Sequence, residues 1–319
     1  MAPAPKRLPS PADGAANSFR HGSVSLSLEF CLAKQWGAKL IGTTAVVVDS
    51  ASYLPPEVHE CFGLYTVPLR VMLDDVEYRE FVDLDAPTFY QALGDGASVS
   101  TSQPSPGDFV RVYEAAVHEG AERIVSIHIG AAMSGTINSA RLAAEIVRVP
   151  VEVIDTGQAS FIEGLCDWEA CEALAAGASI DVVRSTVTRA ASLAGNVFLV
   201  RGTELLERGG RFKGEGQFAG VPILALVDGA VRPIGQERDV ESAIDAIVAH
   251  FERSAAAHPG KRFRIGVSNG DCDELAGMLE QRLRAHPAAS EVMQYTIGPV
   301  VGAHTGAGCT GVVFLPRPI

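Results

Sequence analysis

Three polar segments of this 319-residue chain hold side chains suited to gripping a small anion. The first is Ser100-Thr101-Ser102-Gln103-Pro104-Ser105-Pro106. Ser105, Pro106 and Asp108 read as an N-cap, a proline at the first helical position and an acid in a capping-box place. That leaves Thr101 and Ser102 just ahead of a helix N-terminus, whose free N–H groups favour anions. A merely capped turn is the other reading of the same residues. The second segment, Gly130-Ala131-Ala132-Met133-Ser134-Gly135-Thr136, opens a helix with Ser134 as its expected N-cap. Gly135 lets the backbone approach a bound group closely. This segment contains neither GxGxxG nor GxxxxGKS/T, so it does not read as a phosphate loop. The third, Gly298-Pro299-Val300-Val301-Gly302-Ala303-His304-Thr305-Gly306-Ala307-Gly308, suits a loop pressed against a neighbour. Its histidine can donate to a carboxylate.

Catalytic alternatives have less behind them. There is no HExxH pair. Asp49, Asp155 and His304 serve a hydrolase only if folding brings them together. No His/Cys cluster has the spacing of a zinc site. We therefore expect no catalytic residue, no metal and no cofactor. The six cysteines, Cys31, Cys61, Cys166, Cys171, Cys272 and Cys309, include no CxxC pair and read as reduced thiols of a cytoplasmic protein.

The elements that must position these segments follow from hydrophobic periodicity. TAVVVD (44–49) is a continuous β-branched run, as in a parallel strand buried on both faces. Tyr65–Met72, Ile124–Ile129 and Val151–Ile154 read as further strands. Pro106–Glu119 and Ser134–Val147 read as helices between them. Strand and helix alternating in this way imply a Rossmann-like α/β/α domain with a parallel sheet, and ligands of such sheets sit beyond the carboxyl ends of the strands. After residue 160 the rhythm becomes mixed α+β. Helices at about 158–176, 180–192, 240–256 and 272–285 are interleaved with strands near 197–200, 263–268, 292–297 and 312–315, and a hairpin turns at Asp228-Gly229. The expected organisation is a flexible extension (1–40), an α/β domain (41–160) and an α+β domain (161–319). Val24, Leu26, Leu28 and Phe30 alternate within the extension as an edge strand would.

Composition narrows the partners. Net charge is −12. Counterion-displacing contact with nucleic acid needs basic surface, so neither nucleic acid nor anionic membrane is an expected partner. No apolar run approaches the roughly 18 residues of a spanning helix, so no membrane insertion is expected.

The polar segments, in their order, resemble the DegV family. The residues carrying the resemblance are VVVDSASYLP (46–55), VPLRV (67–71), STSQPSPGDF (100–109), MSGTINSA (133–140), VIDTG (153–157), LLERGGRF (205–212), PILALVDGAVRP (222–233) and GPVVGAHTGAG (298–308). The resemblance implies two domains with a long-chain fatty acid between them. It also implies a lipid-carrying subunit that presents the carboxylate to a dihydroxyacetone-kinase-like fatty acid kinase subunit, which makes acyl phosphate for phospholipid synthesis. By position in the motifs, Thr101, Ser134 and His304 correspond to a carboxylate-binding trio, with Ser102 and Gly135 beside them. Arg238 resembles a kinase-engaging residue. A hydrolase or transferase using the same loops, or a lipid sensor without a kinase, are the alternatives. A chain of roughly sixteen carbons at about 0.8 kcal/mol per CH₂ would supply most of the gross affinity, leaving the hydroxyls to fix orientation. Ile129, Met133, Ile162 and Leu165 flank the polar segments and are the expected apolar lining. Gly130-Ala131-Ala132 stands where family members often carry serines, which implies a drier mouth.

Overall fold

The structure, a computed structural model, describes residues 40–214 and 218–317. The expectations for the extension, including its edge strand, and for Cys31 lie outside the described residues.

The chain folds as an α/β protein with two main sheets. The first is parallel, ordered β2 (Tyr65–Val67), β1 (Thr44–Asp49), β6 (Arg123–His128), β7 (Val151–Asp155). Its central strands β1 and β6 are buried along nearly their whole length, which is why they read as unbroken apolar runs. The second is a six-stranded mixed sheet. Its order is β10 (Ala230–Glu237), β9 (Val221–Val227), β8 (Gly195–Leu199), β13 (Cys309–Arg317), β11 (Arg262–Gly270), β12 (Ala289–Thr296). Only β11 and β12 run parallel there.

Helices fill the layers around these sheets. α3 (Pro106–His118) and α4 (Thr136–Ala144) pack on the outer face of the parallel sheet. α8 (Val240–Ala256) and α9 (Asp273–Arg284) pack on the outer face of the mixed sheet. Between the sheets lie α5 (Phe161–Ala175) and α6 (Ile180–Leu193), and one core runs from Val46 and Ile127 through Phe161 and Trp168 to Leu224 and Val313. Capping fixes several helix starts. Ser105 and Asp108 form the expected capping box of α3, and Asp239 accepts from the Ser242 N–H at the start of α8. The β9–β10 hairpin turns at Asp228 (φ 50°) and Gly229 (φ 69°), the two left-handed positions such a turn requires.

Three expectations need correction. Tyr65–Met72 is not one strand. It breaks at Pro68 into β2 and β3 (Arg70–Leu73), and β3 joins β4 (Val76–Arg79) and β5 (Val99–Ser102) in a separate antiparallel sheet, β4-β3-β5. Proline has no N–H with which to continue a ladder. The glycine-rich segment 298–308 is no loop. It forms the helix α10 (Pro299–Thr305), and only Gly306 and Gly308 take positive φ. The thiol reading also fails at Cys61, which is disulfide-bonded, whereas Cys166, Cys171, Cys272 and Cys309 are free. Three further helices complete the set, α1 (Pro56–Phe62), α2 (Ala86–Gly94) and α7 (Glu204–Arg208).

Candidate functional site

A cavity of about 190 Å³ opens between the parallel and mixed sheets. Thr101, Ser102, Ser134, Gly135 and His304 all line it. They arrive from three places. Thr101 lies on β5, opposite Val71 of β3, rather than in a loop before a helix. The period-2 pleat turns it inward with Val99 while Ser100 and Ser102 are exposed. Ser134 and Gly135 follow β6 and precede α4. His304 is in the last turn of α10.

Ser134 is not the N-cap. That position belongs to Gly135, and the Ser134 hydroxyl accepts from the Thr136 N–H at 3.3 Å and pairs with the Thr136 hydroxyl at 2.8 Å. Gly135 gives the end of one flexible side chain room to lie close to the backbone. Any Cβ there would meet the side-chain amide of Gln103, a cavity-lining residue the sequence reading passed over.

The Thr101 hydroxyl and His304 Nε2 are 3.0 Å apart. His304 Nδ1 is buried without a hydrogen-bond partner. Burial, reinforced by the positive charge of Arg211, pushes the His304 pKa down to about 4. The ring is therefore neutral at physiological pH.

Arg211 is the residue the sequence reading missed. Half-buried on the cavity wall, it donates Nε–H to the Met133 carbonyl at 2.8 Å and Nη1–H to the Gly209 carbonyl at 2.9 Å. Among the described residues no carboxylate pairs with it. The signal was the Gly209-Gly210-Arg211 run. Gly210 turns through φ 70°, and a Cβ on Gly209 would strike His304 Nδ1, so the glycines let the arginine and the imidazole meet.

Away from this polar end the wall is apolar. Ile129, Met133 and Ile162 line the cavity as expected, joined by Leu226, Val300 and Val313. Leu165 does not. It is fully buried in the core between the sheets. The hydrolase constellation is not assembled. Asp49 accepts from the Ala51 and Ile129 amides and contacts His128, and Asp155 accepts from Gly157 N–H at 2.8 Å. Neither reaches His304 Nδ1, where a triad places its acid. Arg238 lies away from the cavity, its side chain 86% exposed and paired with Asp239 at 2.8 Å. Among the described residues, no group of three or more His, Cys, Asp or Glu is placed to hold a metal, and no helix is long and apolar enough to cross a membrane.

A mainly apolar cavity between the two sheets, closed at one end by hydroxyls, a neutral imidazole and an unpaired guanidinium, has the chemistry of a site for a small amphipathic ligand. The chain belongs to the DegV family, whose family model, that of an uncharacterised protein family, matches residues 43–317. It is 34% identical over 280 residues to a DegV domain-containing protein of Streptomyces coelicolor, covering 86% of this chain and 98% of that one. Its fold matches a fatty-acid-binding DegV family protein from Thermus thermophilus (TM-score 0.78, 31% identity, 86% of this chain and 99% of that one). It also matches DegV, a fatty acid binding protein from Bacillus subtilis (TM-score 0.77, 26% identity, 86% and 99%).

Proposed function

We propose that this protein is a non-catalytic carrier of a long-chain fatty acid. The carboxylate lies among Thr101, Ser134, His304 and Arg211, with Ser102 and Gly135 at the rim, and the acyl chain lies along the apolar wall. The observation that carries this reading is the unpaired Arg211 guanidinium at the polar end of an otherwise apolar cavity. A carboxylate offers about four lone-pair sites, which two hydroxyls, an imidazole N–H and the remaining guanidinium N–H groups can fill. Without such partners a buried anion costs several kcal/mol. His304 suits the task because it is neutral. It offers one donor and leaves the charge balance to Arg211. The absence of an acid at His304 Nδ1 speaks against a hydrolase on these loops.

The resemblance to fatty acid kinase carriers extends the reading to a partner. A dihydroxyacetone-kinase-like subunit would phosphorylate the presented carboxylate with ATP, engaging the exposed Arg238. Mass spectrometry of an organic extract of the purified protein tests the first part. Fatty acid is expected, and its absence would sink the reading. Thr101→Ala combined with Ser134→Ala is expected to strip most of that lipid. For the second part, Arg238→Ala is expected to keep its lipid yet yield less acyl phosphate with such a kinase and ATP. No acyl phosphate from the unmutated protein would leave a lipid-binding protein without a kinase.

A further inference from the structure

Glu80, just beyond β4, is 1% exposed and does not line the cavity. Its carboxyl group nevertheless ties together the segments that build the site. Ser50 Oγ donates to Oε2 at 2.5 Å, and that same hydroxyl accepts from the Leu69 N–H at 3.0 Å. Oε1 accepts from the Tyr53 hydroxyl at 3.1 Å and from the Val300 N–H at 2.8 Å. The Tyr53 hydroxyl in turn accepts from the Val301 N–H at 3.2 Å. Two of the otherwise unsatisfied amides at the start of α10 are thus held by one carboxyl group and its neighbour. On the outer side Phe81 packs edge-on against Tyr53 with ring centroids 6.0 Å apart. A Cβ at Gly298 would lie 2.5 Å from both Glu80 Oε1 and Phe81 Cζ, so the clasp closes directly on the helix start. Phe81 holds φ 59°, a conformation a bulky residue adopts only when its surroundings impose it.

α10 is only seven residues long and carries Val300, Val301, His304 and Thr305 of the cavity wall. Val300 and His304 are one turn apart on the same face. Where Val300 is pinned, the imidazole follows. We propose that Glu80 is the positioning residue for His304: its carboxyl group fixes the start of α10, and its proton state adjusts the contact between His304 and Thr101.

Burial, with Asp49 nearby, raises the Glu80 pKa to about 7 despite its three hydrogen bonds. No cation among the described residues offsets it. Arg70 of β3 is engaged with Asp108 and Glu77, and Arg79 of β4 with Asp83. Tyr53 and, from α2, Tyr90 are the other titratable groups facing it, and both are held neutral by burial. α10 contributes none but His304. Ionised Glu80 accepts more strongly from Val300 and Tyr53, so the clasp tightens as pH rises through the neutral range.

The test uses the full chain, stripped of lipid, with ¹⁵N-labelled histidine. The His304 ring signal is assigned by its loss in His304→Asn. His304 itself does not titrate near neutrality, yet its signal should step with a midpoint at about pH 7. Glu80→Gln should keep the ring in place and abolish the step, and Glu80→Ala should displace the ring at every pH. An identical profile in the unmutated protein and Glu80→Gln, or an unmoved ring in folded Glu80→Ala, overturns the proposal. The effect on lipid also rests on the carrier reading. Release of radiolabelled palmitate should be about tenfold faster in Glu80→Ala, the scale of one charge-assisted hydrogen bond, and that difference should vanish in a His304→Ala background. If the unmutated protein retains no palmitate, the carrier reading fails while the ring titration still decides the role of Glu80.

Discussion

Two buried polar clusters sit in this fold, and they balance charge in opposite ways. At the cavity, Arg211 lies beside a neutral His304 and two hydroxyls, and no carboxylate among the described residues meets it. Inside the core, Glu163 and Asp167 of α5 are wholly buried near Asp49, with no cation paired to either among the described residues. Burial first, then the Asp49 charge, holds both acids well above the ordinary carboxylate range, so they remain protonated at neutral pH. The core cluster resolves its charge by keeping protons. The cavity cluster cannot, because a guanidinium does not give up its proton, and so it calls for an anion from outside. A binding site here is distinguished from a structural polar cluster by what it leaves unbalanced.

The largest expected effect breaks the cavity side of that contrast. Arg211→Ala should cost about 2–3 kcal/mol of fatty acid binding, on the order of 100-fold in Kd by titration of the delipidated protein, because a charge-assisted contact is lost at a half-buried position. Next comes Gly209→Ala. Its methyl would strike His304 Nδ1 and push the imidazole away from Thr101, seen as weaker binding together with a melting temperature lowered by an overpacking cost of about 1–3 kcal/mol. The smallest effect sharpens the core side. The folded protein retains the Glu163 proton, whereas the unfolded chain loses it above about pH 4.3. Stability from this group is therefore present at low pH and declines as pH rises, by at most about 1.4 kcal/mol per pH unit until the folded-state pKa is reached. Glu163→Gln should flatten that decline, raising the melting temperature at pH 8 more than at pH 5 and leaving lipid content unchanged.

The legibility of the sequence followed the same physics. Strands buried on both faces announce themselves, and β1, β6 and β7 were found within a residue or two. A capped amphipathic helix such as Val240–Ala256 was found to the residue. The short strands β4 and β5 were missed. Each has only four residues, and VSTS carries too little apolar alternation to register. Thr101 therefore reads in the sequence as a loop residue ahead of a helix, whereas the structure puts it on an antiparallel strand. α10 was hidden by its glycines. Gly302 is needed there because a Cβ would lie 2.8 Å from the rings of Phe89 and Tyr90, a contact between residues about 210 apart in sequence that no local pattern reveals. Arg211 escaped for a related reason. Its value lies in lacking an acidic partner, and that is visible only once neighbours are known.

Arg211 has one more consequence, for the speed of exchange. Its Nε–H is committed to the Met133 carbonyl, which belongs to the loop leading into α4, while Arg211 itself follows α7. The group that would neutralise the ligand is thus also a stitch between two segments of the cavity wall. On the carrier reading, a departing fatty acid would break its contact with a guanidinium already anchored to the wall, and release of that stitch would add to the residence time.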